Sequence, residues 1–433
     1  MSRWWPGRLA GARVAGFGFD MLGRRFDRSR KRFAARRVAL VALLGAAAFL
    51  LVGGRFPEAR PATVLETLRG EPEVLVRLSA PRGATVAVRG PYRVHAGAPR
   101  AARGDVVAEG GTLAASAIAY DDGDGWRVGP YVLDEPWVEL VPARDGDLEV
   151  GGTRYRGSLY VGRHDDSTVL VNRLGIEAYL AGVIGAEMPI EWSDEALVAQ
   201  AICARTYAMH ELGIPARTVP YDVRDTVASQ VYCGIEGRED HAARAVELVA
   251  RCRGLVMYWN DRPFKAFFHS TCGGRTTSAA RVFVDFAITP LSGRPCAYCG
   301  ESKLFRWKRE FPRAEVERRV AKTLGKNAGK ITSIPVTYAD GRATKVRVIG
   351  DKRTIDLSGE DFRRALGPGK DNLPSTAFDV QVAGDKVTFT GAGWGHGVGL
   401  CQFGAQGMAR AGKHAREILE HYYPGAQIVR LWE

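Results

Sequence analysis

The pattern of apolar and polar positions changes character three times along the 433-residue chain. Residues 38–54, "VALVALLGAAAFLLVGG", are apolar without a single charge. Between 72 and 175 short runs alternate with a period of two, as half-buried strands do: "EVLVRL", "ATVAVRG", "WVELVPA", "LEVGGTRYRGSLYVG" and "STVLVNRL". Turn formers such as "DDGDG" and "RDGD" separate them. From residue 193 the period lengthens. Ser193 followed by Asp194 and Glu195 forms a helix start with an acidic first turn, and "EALVAQAICARTYAMHEL" predicts a helix running to Gly213. Its alanines, from Ala196 to Ala208, predict a close neighbour. Further helices are predicted over "HAARAVELVARCR", "QFGAQGMARA" and "AREILEHYY", and a short capped one in "LSGEDFRRALG". Strands such as "LVMYW", "AFFHS", "TKVRVIG", "TIDL", "AFDVQVA" and "KVTFTGAG" lie between them. The sum is an α+β fold with a β-rich N-terminal part, preceded by one transmembrane helix.

Charge sharpens the reading of the apolar run. The chain carries a net charge of +13, and residues 1–37 hold eleven Arg or Lys against Asp20 and Asp27. A basic lead followed by an uncharged run fits the positive-inside rule. Seventeen helical residues span about 25 Å, close to a hydrocarbon core of roughly 30 Å. The segment is read as an uncleaved signal anchor; a cleaved secretory signal is the rival, against which stand the long basic lead and the lack of a clear Ala-x-Ala site. On either reading residues 55–433 lie outside the cytoplasm, which excludes nucleic acid as a partner. The expected organisation is a basic cytoplasmic tail over 1–37, an anchor over 38–54, a linker over 55–71, a β-rich region over 72–149 and a larger domain over 150–433.

Seven cysteines stand at 203, 233, 252, 272, 296, 299 and 401. His269 and Cys272 in "HSTC", with Cys296 and Cys299 in "CAYC", have the spacing of a Cys3His site for structural zinc; an oxidising compartment also permits disulfides. Cys203 and Cys252 are expected as buried thiols, and Cys233 and Cys401 are unassigned.

Two stretches point to chemistry. In "VIGAEMPIEW", Glu187 is expected to project from a turn at the edge of a core, where partial desolvation raises a carboxyl pKa toward that of a general acid; a solvated loop Glu is the bland alternative. In "GAGWGHGVGL", residues 391–400, five glycines alternate with Ala392, Trp394, His396, Val398 and Leu400. As an extended strand it would present one bare face and one decorated face, suited to a glycan lying against Trp394, His396 and the nearby Gln402, or to close packing on the Ala-rich helix.

"NRLGIEAYLAGVIGAEMPIEWSDEALVAQAICARTYA", "DTVASQVYCG", "AFFHSTCGGRT" and "GAGWGHGVGLCQFGAQGMARAGKHAREILEHYYPG" together resemble the stage II sporulation protein D (SpoIID) family, which is related to the amidase enhancer LytB. The resemblance covers about residues 150–433, with a weaker likeness in "EVLVRLSAPRGATVAV". It implies a peptidoglycan lytic transglycosylase cleaving between N-acetylmuramic acid and N-acetylglucosamine, with Glu187 as the catalytic acid and base and Arg205 as an active-site arginine. Without the family, Arg205 reads equally as the partner of Asp222 or Asp225. Gln230 and Tyr232 are expected to line the groove. No cofactor is required for the chemistry. The implied partners are glycan strands, the membrane through the N-terminal helix, and a cell-wall amidase. The rival reading is a non-catalytic LytB-type module that binds glycan and stimulates such an amidase.

Overall fold

The computed structural model describes residues 70–433, apart from 80–83, 122–124, 166, 215–216, 236–238 and 284–285. The expected basic tail and membrane anchor lie outside the described residues. Within them, no helix is long and apolar enough to cross a membrane.

The N-terminal strands form two sheets. One has seven strands in the order Val223–Arg224, Glu73–Leu78, Ser167–Gly175, Ser158–His164, Trp137–Pro142, Tyr92–Ala96, Val106–Gly110. The other has six and includes Thr85–Val88, Leu113–Asp121 and Leu148–Val150. Val74, Val76, Val86, Trp126 and Leu159 fill a shared core. The alternation seen in the sequence is the burial pattern of the strands: Val74, Val76 and Leu78 point inward from one strand. Because Ser158–His164 and Ser167–Gly175 are central strands of the larger sheet, that sheet runs across residue 150 and carries directly into the first helix.

Seven helices follow among the described residues: α1 (Ile176–Glu187), α2 (Asp194–Leu212), α3 (Glu239–Arg251), α4 (Arg313–Leu324), α5 (Gly359–Leu366), α6 (Gln402–Arg410) and α7 (Ala415–Tyr422). α2 begins after Ser193 and ends before Gly213, as its sequence predicts. It is buried from Ala196 to Ala208, and its alanines let α1, α3, α6 and α7 all pack against it. Each fully buried large side chain, such as Leu197, contributes roughly 1.5–3 kcal/mol.

Between Cys299 and Gly391, where the glycine-rich stretch begins, the chain makes a unit with its own core. Trp307, Phe311, Val346, Phe362 and Phe389 belong to a cluster separate from that of the rest. A three-stranded sheet (Trp307–Pro312, Lys386–Gly391, Phe378–Ala383) and a four-stranded one centred on Arg342–Gly350 enclose it with α4 and α5.

Candidate active site and cysteine cluster

Glu187 is the last residue of α1. The helix stops there because Met188 precedes Pro189 and takes an extended conformation, φ −134° and ψ 146°. This corrects the expectation of a turn: the carboxylate stands on the rim of a helix anchored by buried Tyr179, Leu180, Val183 and Ile184. The Val231 amide donates to its Oε1 at 2.7 Å. Burial pushes its pKa up to about 7, against the pull of hydrogen bonds from Val231 and the Gln402 side chain.

Gln402 opens α6 and is buried, with its side-chain amide turned toward the Glu187 carboxylate. Gln200, in the middle of α2, is fully buried with both amide atoms unpartnered. It lies one turn before Cys203, whose thiol feels the charge of Glu187. A buried amide without partners costs about 1–3 kcal/mol, which marks a place where water or a ligand hydroxyl belongs. The sequence signal was there: Gln200 is a lone polar residue inside "ALVAQAICA". Farther along α2, Tyr207 meets the Lys265 ammonium, which also approaches the rings of Phe267 and Phe286 and pairs with Glu211 at 2.9 Å.

The loop carrying Val231 is held from behind. Gln230 is fully buried, accepting from the Tyr179 hydroxyl at 3.0 Å and donating to the Ala204 carbonyl at 3.4 Å. Tyr232 is also buried, its ring beside Tyr155 and Tyr179 and its hydroxyl donating to Asn172 at 2.8 Å. Gln230 does not face a groove, whereas Tyr232 lines the cavity described next; both fix the backbone that presents Val231. A cavity of about 230 Å³ runs along α1 past Ala178, Gly182, Gly185 and Ala186 to Cys233 and α3. Glu187 does not line it.

Arg205 departs from expectation in the same way. It is fully buried, and its guanidinium grips Glu177 with Nη2–Oε2 at 2.5 Å and Nε–Oε1 at 3.1 Å. Nη1 donates to the Leu255 carbonyl at 3.1 Å. Glu177 in turn accepts from Gly254 N and the Trp432 indole. The partner is neither Asp222 nor Asp225: Asp222 takes Arg100 and the Leu75 amide, and Asp225 takes Ser79. Arg205 ties α2 to the start of α1, the end opposite Glu187, and so orients the helix that carries the acid.

The glycine-rich stretch is not an extended strand beyond Gly391. Gly393, Gly395, Gly397 and Gly399 all have positive φ, between 70° and 101°. Each is also a point of close approach: a Cβ would fall 2.5 Å from the Thr271 carbonyl oxygen at Gly393 and 1.9 Å from that of Phe267 at Gly399. The neighbour is the segment 267–272 at Gly393, Gly395 and Gly399, and the Arg342 guanidinium at Gly397. Trp394 and Thr271 exchange backbone hydrogen bonds, and Leu400–Cys401 pairs in parallel with Phe268–His269. His396 accepts the Val398 amide on Nδ1 at 3.0 Å, and burial holds its pKa down at about 3. It is a neutral brace within the loop. Trp394 is half-buried. Of the stretch and its sequel, Gln402 is the residue brought to Glu187.

The metal-ligand expectation changes by one residue. The Sγ atoms of Cys272, Cys296, Cys299 and Cys401 lie within 4.8 Å of one another, all buried. His269 is not among them: its Nδ1 meets the Val398 carbonyl at 3.1 Å, and its buried Nε2 has no partner. Cys401 replaces it because the parallel pairing of 268–269 with 400–401 lays the two segments side by side. The Cys401 sulfur accepts amides from Cys272 at 3.2 Å and Gly404 at 3.3 Å, and the Tyr422 hydroxyl meets Cys296 at 3.1 Å. Four clustered sulfurs with donors aimed at them suit thiolates around a metal ion. Cys203 and Cys252 are buried, as expected.

Comparison with known proteins now decides the family. A model described as Stage II sporulation protein (SpoIID) matches residues 164–259. The stage II sporulation protein D of Bacillus subtilis is 32% identical over 271 residues, 60% of this chain and 75% of that protein. The chain belongs to the SpoIID family. An uncharacterised protein of Brachyspira hyodysenteriae is 36% identical over 288 residues, 66% of this chain and 75% of its own. The amidase enhancer of B. subtilis is 29% identical over 295 residues, 58% of this chain and 40% of the enhancer. A second model, a domain of unknown function (DUF8618), matches residues 297–399, which include the separately cored unit of this SpoIID chain.

Proposed function

We propose that the protein is a peptidoglycan lytic transglycosylase acting outside the cytoplasm, anchored by residues 38–54. The observation that carries the reading is the Glu187 carboxyl, poised near pH 7 by burial and touched by neutral N–H donors. Among the described residues no second carboxylate contributes to its shift. A hydrolase of the usual kind needs two carboxyl groups. A lone acid suits an intramolecular transfer. The Glu187 proton goes to the bridging oxygen as the C1–O bond of N-acetylmuramic acid breaks. The sugar's own 6-hydroxyl closes on C1 and returns its proton to Glu187, leaving a 1,6-anhydro end and consuming no water. Gln402 and Gln200 supply amide groups for sugar hydroxyls or the N-acetyl group.

The reading includes zinc at Cys272, Cys296, Cys299 and Cys401. With four protein ligands the ion would be structural, leaving no open position for water, and the chemistry at Glu187 does not pass through it. The test is incubation of the protein with purified glycan strands and mass spectrometry of the products. New 1,6-anhydro ends support the enzyme; binding without cleavage, together with stimulation of a cell-wall amidase, supports the non-catalytic alternative.

A further inference from the structure

The four cysteines occupy a particular place in the chain. Cys296 and Cys299 stand just before the unit that has its own core, and Cys401 just after the glycine-rich stretch that follows it. Cys272 comes from the segment that packs under the glycine-rich loop. The cluster thus sits at the neck of the inserted unit, where both chain passes leave and rejoin the Glu187-bearing part.

The unit sends one charged group back across the seam. Arg342, at the start of its central strand, is only 4% exposed. Nη1 approaches the Gly395 carbonyl at 3.3 Å and Thr376 Oγ1 at 3.4 Å, and Nη2 approaches the carbonyl of Cys272 at 3.4 Å. The guanidinium covers Gly397, where a Cβ would lie 2.3 Å from its Cζ. Every one of these partners is a neutral oxygen. The charged groups that act on Arg342 are few: Glu360, which is paired to Arg363 at 3.3 Å, Arg363 itself, and the sulfurs of Cys272 and Cys401. Among the described residues no carboxylate forms an ion pair with Arg342: Glu360 acts on it and keeps a buried Oε1 unpartnered, but its ion pair is with Arg363. A buried guanidinium without a direct countercharge is strongly disfavoured. Four thiolates around a divalent ion carry a net charge of −2, and would supply it.

We propose that the cysteine cluster is a metal clasp closing the neck of the inserted unit, and that Arg342 is its buried counter-ion, so that metal loading fixes the unit onto the Glu187-bearing part. The inference rests on the zinc reading given above. Because the two parts have separate cores, stripping the metal loosens the seam without unfolding either one.

The full chain, purified in detergent, is loaded with zinc or cobalt(II) and then stripped. The expected results are one bound equivalent, sulfur-to-cobalt charge-transfer absorption of a tetrahedral site, and at least tenfold faster amide exchange at Ala392, Gly393 and Gly395 after stripping. The first and third of these amides bond to Ala377 and Pro374 of the inserted unit, and the second to Leu304 at its neck. Amides of the strands Arg342–Gly350 and Lys386–Gly391 should stay protected. Arg342→Met should bind zinc at least tenfold more weakly by chelator competition, with Arg342→Lys recovering part of the loss. Absence of metal, or mass evidence for two disulfides among the four cysteines, overturns the zinc reading and the clasp with it. Unchanged zinc affinity in Arg342→Met, or seam amides indifferent to stripping, overturns the clasp while the zinc reading stands.

Discussion

The amide of Val231 donates to the Glu187 carboxylate at 2.7 Å, joining the end of α1 to a loop 44 residues on. This contact couples the acid to the loop's supports. Gln230 and Tyr232 flank the donor and are buried against α1 and the larger sheet, so the N–H is held in place before any ligand arrives. Gln230 and Tyr232, expected to line the groove, thus also hold the backbone that meets Glu187.

The pH dependence of stability follows from the Glu187 carboxyl. Its pKa is about 7 in the folded chain against 4.5 as the reference value. Between those values the folded form holds a proton the unfolded form has lost, so stability falls as pH rises from 4.5 and levels off above 7. Glu187→Gln removes the penalty. The variant should be more stable than the parent by about 3 kcal/mol at pH 8 and equal to it below pH 4. Urea unfolding at pH 4, 6 and 8 checks this; a difference independent of pH counts against a raised pKa.

Arg205 and Glu177 form a buried, bidentate pair with every nearby donor and acceptor satisfied. Arg205→Met should cost about 3–5 kcal/mol, because it leaves the Glu177 charge buried and unpaired. The double variant Arg205→Met with Glu177→Met should recover much of the loss. Normal stability with abolished cleavage in the single variant would restore a substrate-facing role for Arg205.

Gly399 combines a φ of 70° with a would-be Cβ 1.9 Å from the Phe267 carbonyl oxygen. Gly399→Ala therefore carries both backbone strain and a clash with backbone that cannot swing aside. A loss of more than about 2 kcal/mol is expected. Gly412, with a φ of 81° but nothing near its Cβ, is the control, and Gly412→Ala should lose about 1 kcal/mol. Equal losses at the two positions would show that packing on segment 267–272 does not set the cost.

Gln200 separates function from stability. Gln200→Leu replaces two unpartnered buried polar atoms with apolar ones of similar volume. Stability should rise by about 1 kcal/mol while kcat/KM for glycan falls at least tenfold. Lower stability with unchanged turnover would make Gln200 an ordinary core residue.

Much of the fold was legible in the sequence because it rests on local signals. Ser193 and Gly213 bracket α2, and the alternation in "EVLVRL" is the inward pattern of Val74, Val76 and Leu78. α1 escaped notice because "IEAYLAGVIGAE" is apolar nearly all round and has no side-chain cap at its start. The acid was legible through its apolar flank and Pro189. The fourth sulfur was not, since Cys401 reaches the other three through a parallel pairing across more than a hundred residues, which no spacing rule encodes. The alternating glycines announced close approach correctly; whether strand or left-handed loop produced it is a matter of φ, on which Gly is silent.

The central claim is that one partly sheltered carboxyl both gives and takes the proton. Product analysis of glycan strands digested with the parent protein and with Glu187→Gln tests it most directly. Every new chain end made by the parent should be a 1,6-anhydro sugar, and the variant should bind glycan without producing any. Reducing ends from the parent, or anhydro ends from the variant, would contradict it.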